Sequence, residues 1–227
     1  MKRAISAAAL AAVLLVTALS AVGGALRWDI AAALIAVLCC VPFFLSFEKR
    51  APSASELVLC AVMTAFSAAG RFIFAPLPFF KPVTAITVLT GMMLSPQAGF
   101  MTGALSAVVS NIWFGQGAWT PFQMLSWGLI GYAAGLLNRR KWLEKPIWLC
   151  VFGVVAGGFY SLVMDVWTTL SADGAFTLAR WLALSAAALP VTAVYCVSNV
   201  IFLLVLRKPL TKRIARLKEK YGVFENR

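Results

Sequence analysis

The sequence of 227 residues contains no histidine. This absence excludes every mechanism that needs an imidazole, including a Ser–His or Cys–His nucleophile, a histidine-ligated zinc and a histidine proton relay. The cysteines all lie inside apolar runs, where we expect them to be small buried side chains rather than disulfides or metal ligands. They are Cys39, Cys40, Cys60, Cys150 and Cys196. No metal site is predicted.

Charge is also scarce. Asp, Glu, Lys and Arg make up 12% of the chain, about half of the ~25% found in soluble domains, whereas 62% of the residues are hydrophobic. This composition excludes a soluble globular enzyme, a disordered tail and a disulfide-stapled secreted module, and it favours a polytopic membrane protein. Because the 20 Lys and Arg flank apolar runs or lie in one tail, they indicate membrane topology rather than nucleic-acid binding.

Eight apolar stretches are candidates for membrane spans, for which about 20 residues are needed. They are residues 4–26, 30–47, 55–75, 82–95, 98–114, 122–138, 147–170 and 181–206. The fourth and fifth are short, and the Ser95–Pro96–Gln97 sequence between them is typical of a tight turn at the membrane surface. The first stretch also has the form of a signal peptide, so retention and cleavage both stay open.

The basic residues predict the orientation in the membrane. With the N-terminus inside, the inner segments carry 16 Lys and Arg, and the outer segments carry only Arg27, Arg71, Lys81 and Arg180. We therefore expect a multi-pass protein of the bacterial inner membrane with both termini in the cytoplasm. Residues 208–227 have apolar side chains three to four apart among Lys and Arg, which predicts a basic amphipathic helix on the anionic inner leaflet.

Two predicted outer loops, residues 71–82 and 113–124, combine aromatic and polar side chains with Gly and Pro. Irregular backbone at membrane depth is tolerated only where it lines a cavity. An interfacial aromatic belt would explain the scattered Trp and Phe residues, but not the polar groups among them. Aromatic walls with a few convergent polar groups are typical of a small-molecule pocket, so we predict an outward-facing binding site.

The candidate binding residues come from these loops and from polar positions in nearby spans. They are Arg71, Phe74, Lys81, Thr84, Asn111, Trp113, Gln116, Trp119, Thr120, Gln123, Trp127, Tyr160, Asp165 and Asn199. Asp165 is the only acid well inside a predicted span, where it either pairs with a cation such as Arg71, Lys81 or Arg180 or contacts a ligand. The amides of Asn111, Gln123 and Asn199 have an alternative role in joining neighbouring helices.

Ala61, Ala65 and Ala69 are spaced four apart and form one smooth stripe on a helix. Stripes of small residues let another helix approach closely. The stripe predicts either packing within this chain or the docking of a separate subunit, and the spacing alone does not decide between the two.

The stretch from Leu57 to Leu137 resembles the S components of energy-coupling factor (ECF) vitamin transporters. The alanine stripe followed by Gly70-Arg71-Phe72, the Lys81-Pro82-Val-Thr-Ala-Ile-Thr segment and the block from Asn111 to Gly131 carry the resemblance. The last block is the most specific, and it is most similar to the cobalamin-specific branch. A weaker similarity continues through Asn199.

The resemblance implies an all-α integral membrane protein with a six-helix S-component core at residues 51–207. Two additional N-terminal spans (residues 1–50) precede this core, and the basic tail (residues 208–227) follows it. The protein would capture a vitamin, in the first place cobalamin, at its outward-facing site. It would then dock through Ala61, Ala65 and Ala69 on a transmembrane coupling subunit and topple to release the vitamin inside. Two ATPase subunits would drive this cycle, since the chain has no Gly-x-x-x-x-Gly-Lys-Ser/Thr loop.

Other functions stay open beside this one. The chain would be no enzyme and would hold no cofactor of its own. Its substrate could instead be a flavin, another tetrapyrrole or a modified nucleobase, because a shared fold does not fix the ligand. A solitary vitamin carrier is a further alternative, and bulky replacements at Ala65 would distinguish it. An enzyme acting on a lipid would need a second acid or base near Asp165, and the sequence offers none.

Overall fold

The structure is a computed structural model that describes residues 28–221, so the predicted span 4–26 lies outside the described residues. Within that range the chain forms helices and no strand. The helices are α1 (Trp28–Lys49), α2 (Ala54–Ile73), α3 (Val83–Met93), α4 (Pro96–Phe114), α5 (Thr120–Asn138), α6 (Pro146–Asp173), α7 (Leu178–Ala187) and α8 (Leu189–Tyr221), with a 3₁₀ turn at Trp142–Glu144 between α5 and α6.

Four of the described helices are long and apolar enough to cross a membrane. They cover Ile30–Lys49, Ala54–Ile73, Pro146–Asp173 and Leu189–Leu217. At about 1.5 Å per residue, the 11 residues of α3 reach only about half of a hydrocarbon core. Residues 83–91 of α3 are all buried, so this helix lies in the interior of the protein. The fold is therefore that of a multi-pass membrane protein in which longer helices surround the short and buried α3.

The predicted span 181–206 is wrong as a single helix, because the structure divides it into α7 and α8 at Ala188. Pro190 stands in the first turn of α8, where its missing N–H interrupts no helical hydrogen bond. Helix α8 then continues past Pro209 into the predicted tail. There Ile214 is buried against Met63 and Ile86, so this part of the tail packs on the protein.

Two serines set the start of two helices. The Ser53 hydroxyl accepts a hydrogen bond from the Glu56 amide (3.2 Å), and the Ser95 hydroxyl accepts one from the Ala98 amide (3.0 Å). The turn predicted at Ser95–Pro96–Gln97 is instead formed by Leu94 and Ser95, because Pro96 and Gln97 already belong to the first turn of α4. The buried Glu56 carboxylate pairs with Arg50 and accepts a hydrogen bond from Ser95 (3.1 Å), which joins the α1–α2 link to the α3–α4 turn.

Glycines bring the backbones of α3, α4 and α5 together. A Cβ atom on Gly99 would lie 2.5 Å from the carbonyl oxygen of Gly131 and 2.7 Å from the Cα atom of Gly91. Both distances are far below van der Waals contact, so only glycine fits at this crossing. We call Gly91, Gly99 and Gly131 the glycine crossing.

Helix α1 packs on the outside of α4 and α5. The Phe43 ring stacks on Phe100 with centroids 4.3 Å apart, and it meets Tyr132 edge-on at 5.0 Å. Phe44 contacts the same Phe100 ring at 5.7 Å. Aromatic contacts in these geometries add stability beyond the buried area. The second of the two extra spans predicted before the core is thus part of the same helical body.

Candidate functional site

One cavity of about 450 Å³ opens at the end of the molecule where α2, α4 and α6 end, which we call the loop end. We call it the first cavity. Its walls come from the α2–α3 loop and from α2, α3, α5, α6 and α8. The lining residues are Arg71, Ala75, Pro78, Phe79, Lys81, Val83, Thr84, Gln123, Trp127, Gly157, Tyr160, Tyr195 and Asn199. The volume lies within the range of about 300–1,000 Å³ that is usual for small-molecule sites.

Aromatic rings form a large part of the wall. Trp127 and Tyr160 stack with centroids 5.0 Å apart and planes at 10°. Tyr195 meets Tyr160 edge-on at 5.1 Å, and Phe79 meets Tyr195 at 5.7 Å. Because Trp127 and Tyr160 are buried to about 95%, their rings are held rigidly and present a flat apolar surface to a ligand.

Arg71 carries the main charge of the first cavity. One guanidinium nitrogen donates to the Ser110 hydroxyl (2.5 Å) and to the Asn111 side-chain oxygen (2.7 Å). The guanidinium also lies over the rings of Phe114 (4.7 Å) and Trp127 (5.4 Å). Neither of the two salt bridges within residues 28–221 involves Arg71. The guanidinium contacts only neutral groups, so its remaining N–H groups can donate to an acceptor on a ligand.

A chain of amides runs from Arg71 across the site. The Asn111 amide nitrogen donates to the Thr120 hydroxyl (2.9 Å) and to the Gln123 oxygen (2.8 Å). The Gln123 nitrogen in turn donates to the Tyr160 hydroxyl (3.2 Å). Asn111 is fully buried and stands behind the wall, where it orients Arg71 and Gln123. A satisfied network of this kind fixes the geometry of the polar groups before a ligand arrives.

Lys81 closes the α2–α3 loop on itself. Its ammonium group donates to the carbonyl oxygens of Phe74, Ala75 (3.3 Å) and Leu77 (2.5 Å). Desolvation is the main cause that lowers the pKa of Lys81 below its ordinary value, and the positive charge of Arg71 is the second cause.

In the same loop Phe79 has a φ of 60°, which costs energy in a residue with a bulky side chain. This strained residue lies on the cavity wall.

The structure places half of the predicted binding residues on the wall of the first cavity. They are Arg71, Lys81, Thr84, Gln123, Trp127, Tyr160 and Asn199. Sequence reasoning missed Ala75, Pro78, Phe79, Val83, Gly157 and Tyr195. The first three lie in the loop that was predicted to form the site. Tyr195 stands one helical turn before Asn199, and this spacing is the signal that could have found it.

Several predicted residues do not line the first cavity. Thr120 and Gln116 bond to each other (3.0 Å), and Gln116 also donates to the Val108 carbonyl (2.7 Å), so both hold the α4–α5 loop together. Phe74 packs against Phe202 with centroids 4.9 Å apart. Asn111 stands behind the wall, as described above.

The two loop tryptophans also differ from the expectation. Trp113 is 73% exposed and leans on the Phe72 ring (5.1 Å). Trp119 packs on Trp167 with centroids 6.4 Å apart. Both side chains find aromatic partners outside the first cavity, Trp113 from the last turn of α4 and Trp119 from the residue before α5.

Asp165 pairs with none of the cations proposed for it. Arg180 instead pairs with Asp173 (3.3 Å). The Asp165 carboxylate is about nine-tenths buried, and one of its oxygens has no hydrogen-bond partner within residues 28–221. It faces Ser185 on α7 without hydrogen-bond geometry, and it does not line the first cavity.

The alanine stripe lies on the outer face of α2. Ala61, Ala65 and Ala69 are exposed, whereas Met63 and Ser67 on the opposite face are buried. No other described part of the chain covers the stripe. Packing of the stripe against residues 28–221 is thus not seen, and the docking of a separate subunit on this exposed face stays a prediction.

The fold and the first cavity define a membrane-embedded binding subunit for a small molecule. The family described as "ECF-type riboflavin transporter, S component" matches residues 52–216, and the chain belongs to this family of S components. Its members are transporter subunits rather than enzymes, and they associate with the ECF transmembrane and ATPase components. The match does not support the cobalamin-specific branch. No solved structure matches the chain.

Proposed function

We propose that the protein is the substrate-binding subunit of an ECF importer and that its substrate is a flavin of the riboflavin type. The description of the matched family supports the substrate, and the chemistry of the first cavity carries the proposal. The decisive observation is one site that combines stacked aromatic walls with the Arg71–Asn111–Gln123–Tyr160 network.

The shape and polarity of riboflavin match those of the first cavity. Its tricyclic ring is flat and apolar on both faces, which suits a wall of Trp127, Tyr160 and Tyr195. Carbonyl oxygens and ring nitrogens at one edge match donors such as Arg71 and Gln123, and hydroxyls on the side chain match Thr84 and Asn199. The wall thus offers donors to the ring edge and hydrogen-bonding groups to the side chain of this ligand.

Size supports a flavin over a corrinoid. A cavity of about 450 Å³ is within the range for ligands of drug size, and a cobalamin is several times larger than a flavin. A modified nucleobase would leave part of the aromatic wall uncovered. We therefore place the flavin first and keep the nucleobase as a competitor in the test.

Delivery follows from the orientation that the charges favour. With 16 of the 20 Lys and Arg inside, the loop end faces outward and both termini lie in the cytoplasm. The exposed stripe of Ala61, Ala65 and Ala69 would meet the transmembrane coupling subunit, since small side chains let helices approach closely. Toppling on that subunit would carry the first cavity to the inner side, with ATP hydrolysis by the partner subunits.

The binding test uses the fluorescence of riboflavin. The full chain is purified in detergent and added to riboflavin, whose emission we expect to be quenched when its ring stacks on Trp127 or Tyr195. Arg71→Gln should weaken binding by about ten- to a hundredfold, because a charge-assisted hydrogen bond is lost. Arg180→Gln is the matched control, since it removes the same charge at the same end without touching the first cavity.

Two outcomes would contradict the proposal. In the first, the folded protein leaves riboflavin emission unchanged and retains cobalamin or a purine base instead. In the second, riboflavin binds but Arg71→Gln and Arg180→Gln behave alike. That result would place the ligand outside the first cavity.

A further inference from the structure

A second cavity of about 370 Å³ lies at the opposite end of the molecule, where α3 and α5 end and α6 begins. We call it the second cavity. It is lined by residues of α3, α5, α8 and the 3₁₀ turn, and no role has been given to it above. The lining residues are Met92, Met93, Asn138, Glu144, Arg207, Thr211, Ile214 and Ala215.

Two residues of opposite charge, Arg207 and Glu144, line the second cavity. Arg207 on α8 donates to the backbone carbonyl of Glu144, which links α8 to the 3₁₀ turn. That bond uses one of the five N–H groups of the guanidinium. The Glu144 side chain is exposed, and neither salt bridge of the described chain involves it. The second cavity thus offers one cation and one carboxylate to an occupant.

Apolar side chains form part of the remaining wall, beside the polar side chains of Asn138 and Thr211. Met92, Met93 and the buried Ile214 form the apolar part. Basic pockets on the cytoplasmic side of membrane proteins bind lipid head groups. Several exposed cations lie within three residues of a lining residue in the sequence. Among them are Arg139, Arg140, Lys141, Lys145, Lys208 and Lys212. Trp142 and Trp148 are each 53% exposed beside the same end, a position typical of the head-group level of a bilayer.

We propose that the second cavity binds the head group of an aminophospholipid from the inner leaflet, with the phosphate at Arg207 and the ammonium at Glu144. A phosphate and an ammonium on one small head group match the arginine and the carboxylate on one wall. The start of the acyl chains would lie over Met92, Met93 and Ile214. The proposal rests on the orientation proposed above, which turns this end towards the cytoplasm.

The carboxylate makes the proposal specific. A primary ammonium donates hydrogen bonds to Glu144, whereas the trimethylammonium of a choline lipid has no N–H group to donate. An inorganic phosphate or a phosphatidylglycerol would satisfy Arg207 and leave Glu144 without a cationic partner. Ethanolamine lipid should therefore bind best, and Glu144 should be the residue that decides the preference.

The experiment counts lipids on the delipidated full chain by native mass spectrometry in detergent. Dioleoylphosphatidylethanolamine, -choline and -glycerol are each titrated. We expect the ethanolamine lipid to bind about tenfold more tightly than the choline lipid, as one charge-assisted contact allows. Glu144→Gln should reduce the affinity for the ethanolamine lipid to that for the choline lipid. Arg207→Gln should weaken the binding of all three lipids.

Matched controls separate the second cavity from general charge. Arg213→Gln removes a cation from the same tail and Glu48→Gln removes an exposed acid elsewhere, and neither residue lines the second cavity. Both should leave lipid binding unchanged. Thermal unfolding in detergent reports that every variant is folded, and riboflavin quenching is measured separately, so a failure here is distinct from a failure of the proposed substrate.

Three results would overturn the proposal. One is equal binding of ethanolamine and choline lipids by the unmodified protein. Another is complete displacement of the lipid by millimolar inorganic phosphate, which would make the second cavity a phosphate site. The third is that Glu144→Gln and Arg207→Gln leave lipid binding intact and instead weaken assembly with the coupling subunit, which would make it a protein interface.

Discussion

The two cavities are similar in size but differ in how their polar groups are held. In the first cavity, about 450 Å³, Arg71 and Gln123 are fixed by hydrogen bonds to the buried Asn111. In the second, about 370 Å³, Glu144 is exposed and its carboxylate is free of salt bridges within residues 28–221. A preorganised polar wall discriminates among small molecules, whereas mobile exposed charges bind an abundant ligand with modest affinity. The volume of a cavity alone would not have separated these roles.

Gly91 and Gly131 of the glycine crossing lie on α3 and α5, which contribute to both cavities, so a substitution there tests whether the two cavities share one scaffold. Gly131→Ala places a methyl group against the backbone of Gly99, and backbone moves less readily than a side chain. We expect a loss of about 1–3 kcal/mol or more in the free energy of unfolding. Thermal unfolding in detergent measures it, and binding of riboflavin and of lipid should fall together.

Gly158→Ala is the control for this substitution. It lies on α6, and a Cβ atom there would have no neighbour within 4 Å. Its melting temperature should equal or slightly exceed that of the unmodified protein, since alanine favours a helix. Equal melting temperatures for Gly131→Ala and Gly158→Ala would mean that the close approach of α3, α4 and α5 is not maintained in the membrane.

A bulky group in the alanine stripe should separate capture at the first cavity from delivery. Ala65→Phe projects a ring from the exposed face of α2 and should abolish uptake of riboflavin by cells that contain the coupling and ATPase subunits. Binding to the purified protein should be unchanged, because the opposite face of α2 packs on the core.

Val154→Phe is the matched control for the stripe. Val154 is 47% exposed on α6, away from α2, and should tolerate the ring in both assays. Uptake that survives Ala65→Phe would argue against docking through this stripe and would favour a solitary carrier.

Gln123 tests the preorganised wall of the first cavity directly. Gln123→Leu keeps the approximate volume but leaves the Tyr160 hydroxyl and one Asn111 hydrogen without a partner. Riboflavin affinity should fall about tenfold, and binding of lipid at the second cavity should not change. Gln116→Leu is the control, because Gln116 is exposed in the α4–α5 loop and off the wall. If the two variants lose affinity equally, the network does not set the affinity.

The cost of polar groups in hydrocarbon explains what the sequence could predict. Arg71 and Gln123 are expensive in a membrane span, so their presence indicated a site, and the structure places both on one wall. Tyr195 was missed because an aromatic residue in an apolar run is already explained by the membrane span and does not by itself indicate a binding site. Trp113 and Trp119 were misplaced because the sequence does not show in which direction a ring at a helix end points.

The helix order was predicted better than its breaks. The second to seventh spans correspond to α1–α6 within a few residues, since apolar runs bounded by Pro, Ser or basic residues mark helix ends. The break before Pro190 was missed because apolar residues continue on both sides of it. The volume of the first cavity arises from long-range packing, so no motif could have distinguished a flavin from a cobalamin.

Lys81 gives the smallest expected effect and the only one that depends on pH. Its pKa in the folded protein is lowered from the ordinary 10.5 by desolvation and by Arg71, so the unfolded chain binds the proton more tightly. Between the lowered pKa and 10.5 the unfolded state holds more protons, and stability therefore rises with pH across this window. We subtract the melting temperature of Lys81→Met from that of the unmodified protein. This difference should rise slightly as the pH is raised from 8 towards 10.5. Lys145→Met, which removes an exposed lysine beside the second cavity, is the matched control, and an equal relative rise over both variants would remove the link to the first cavity.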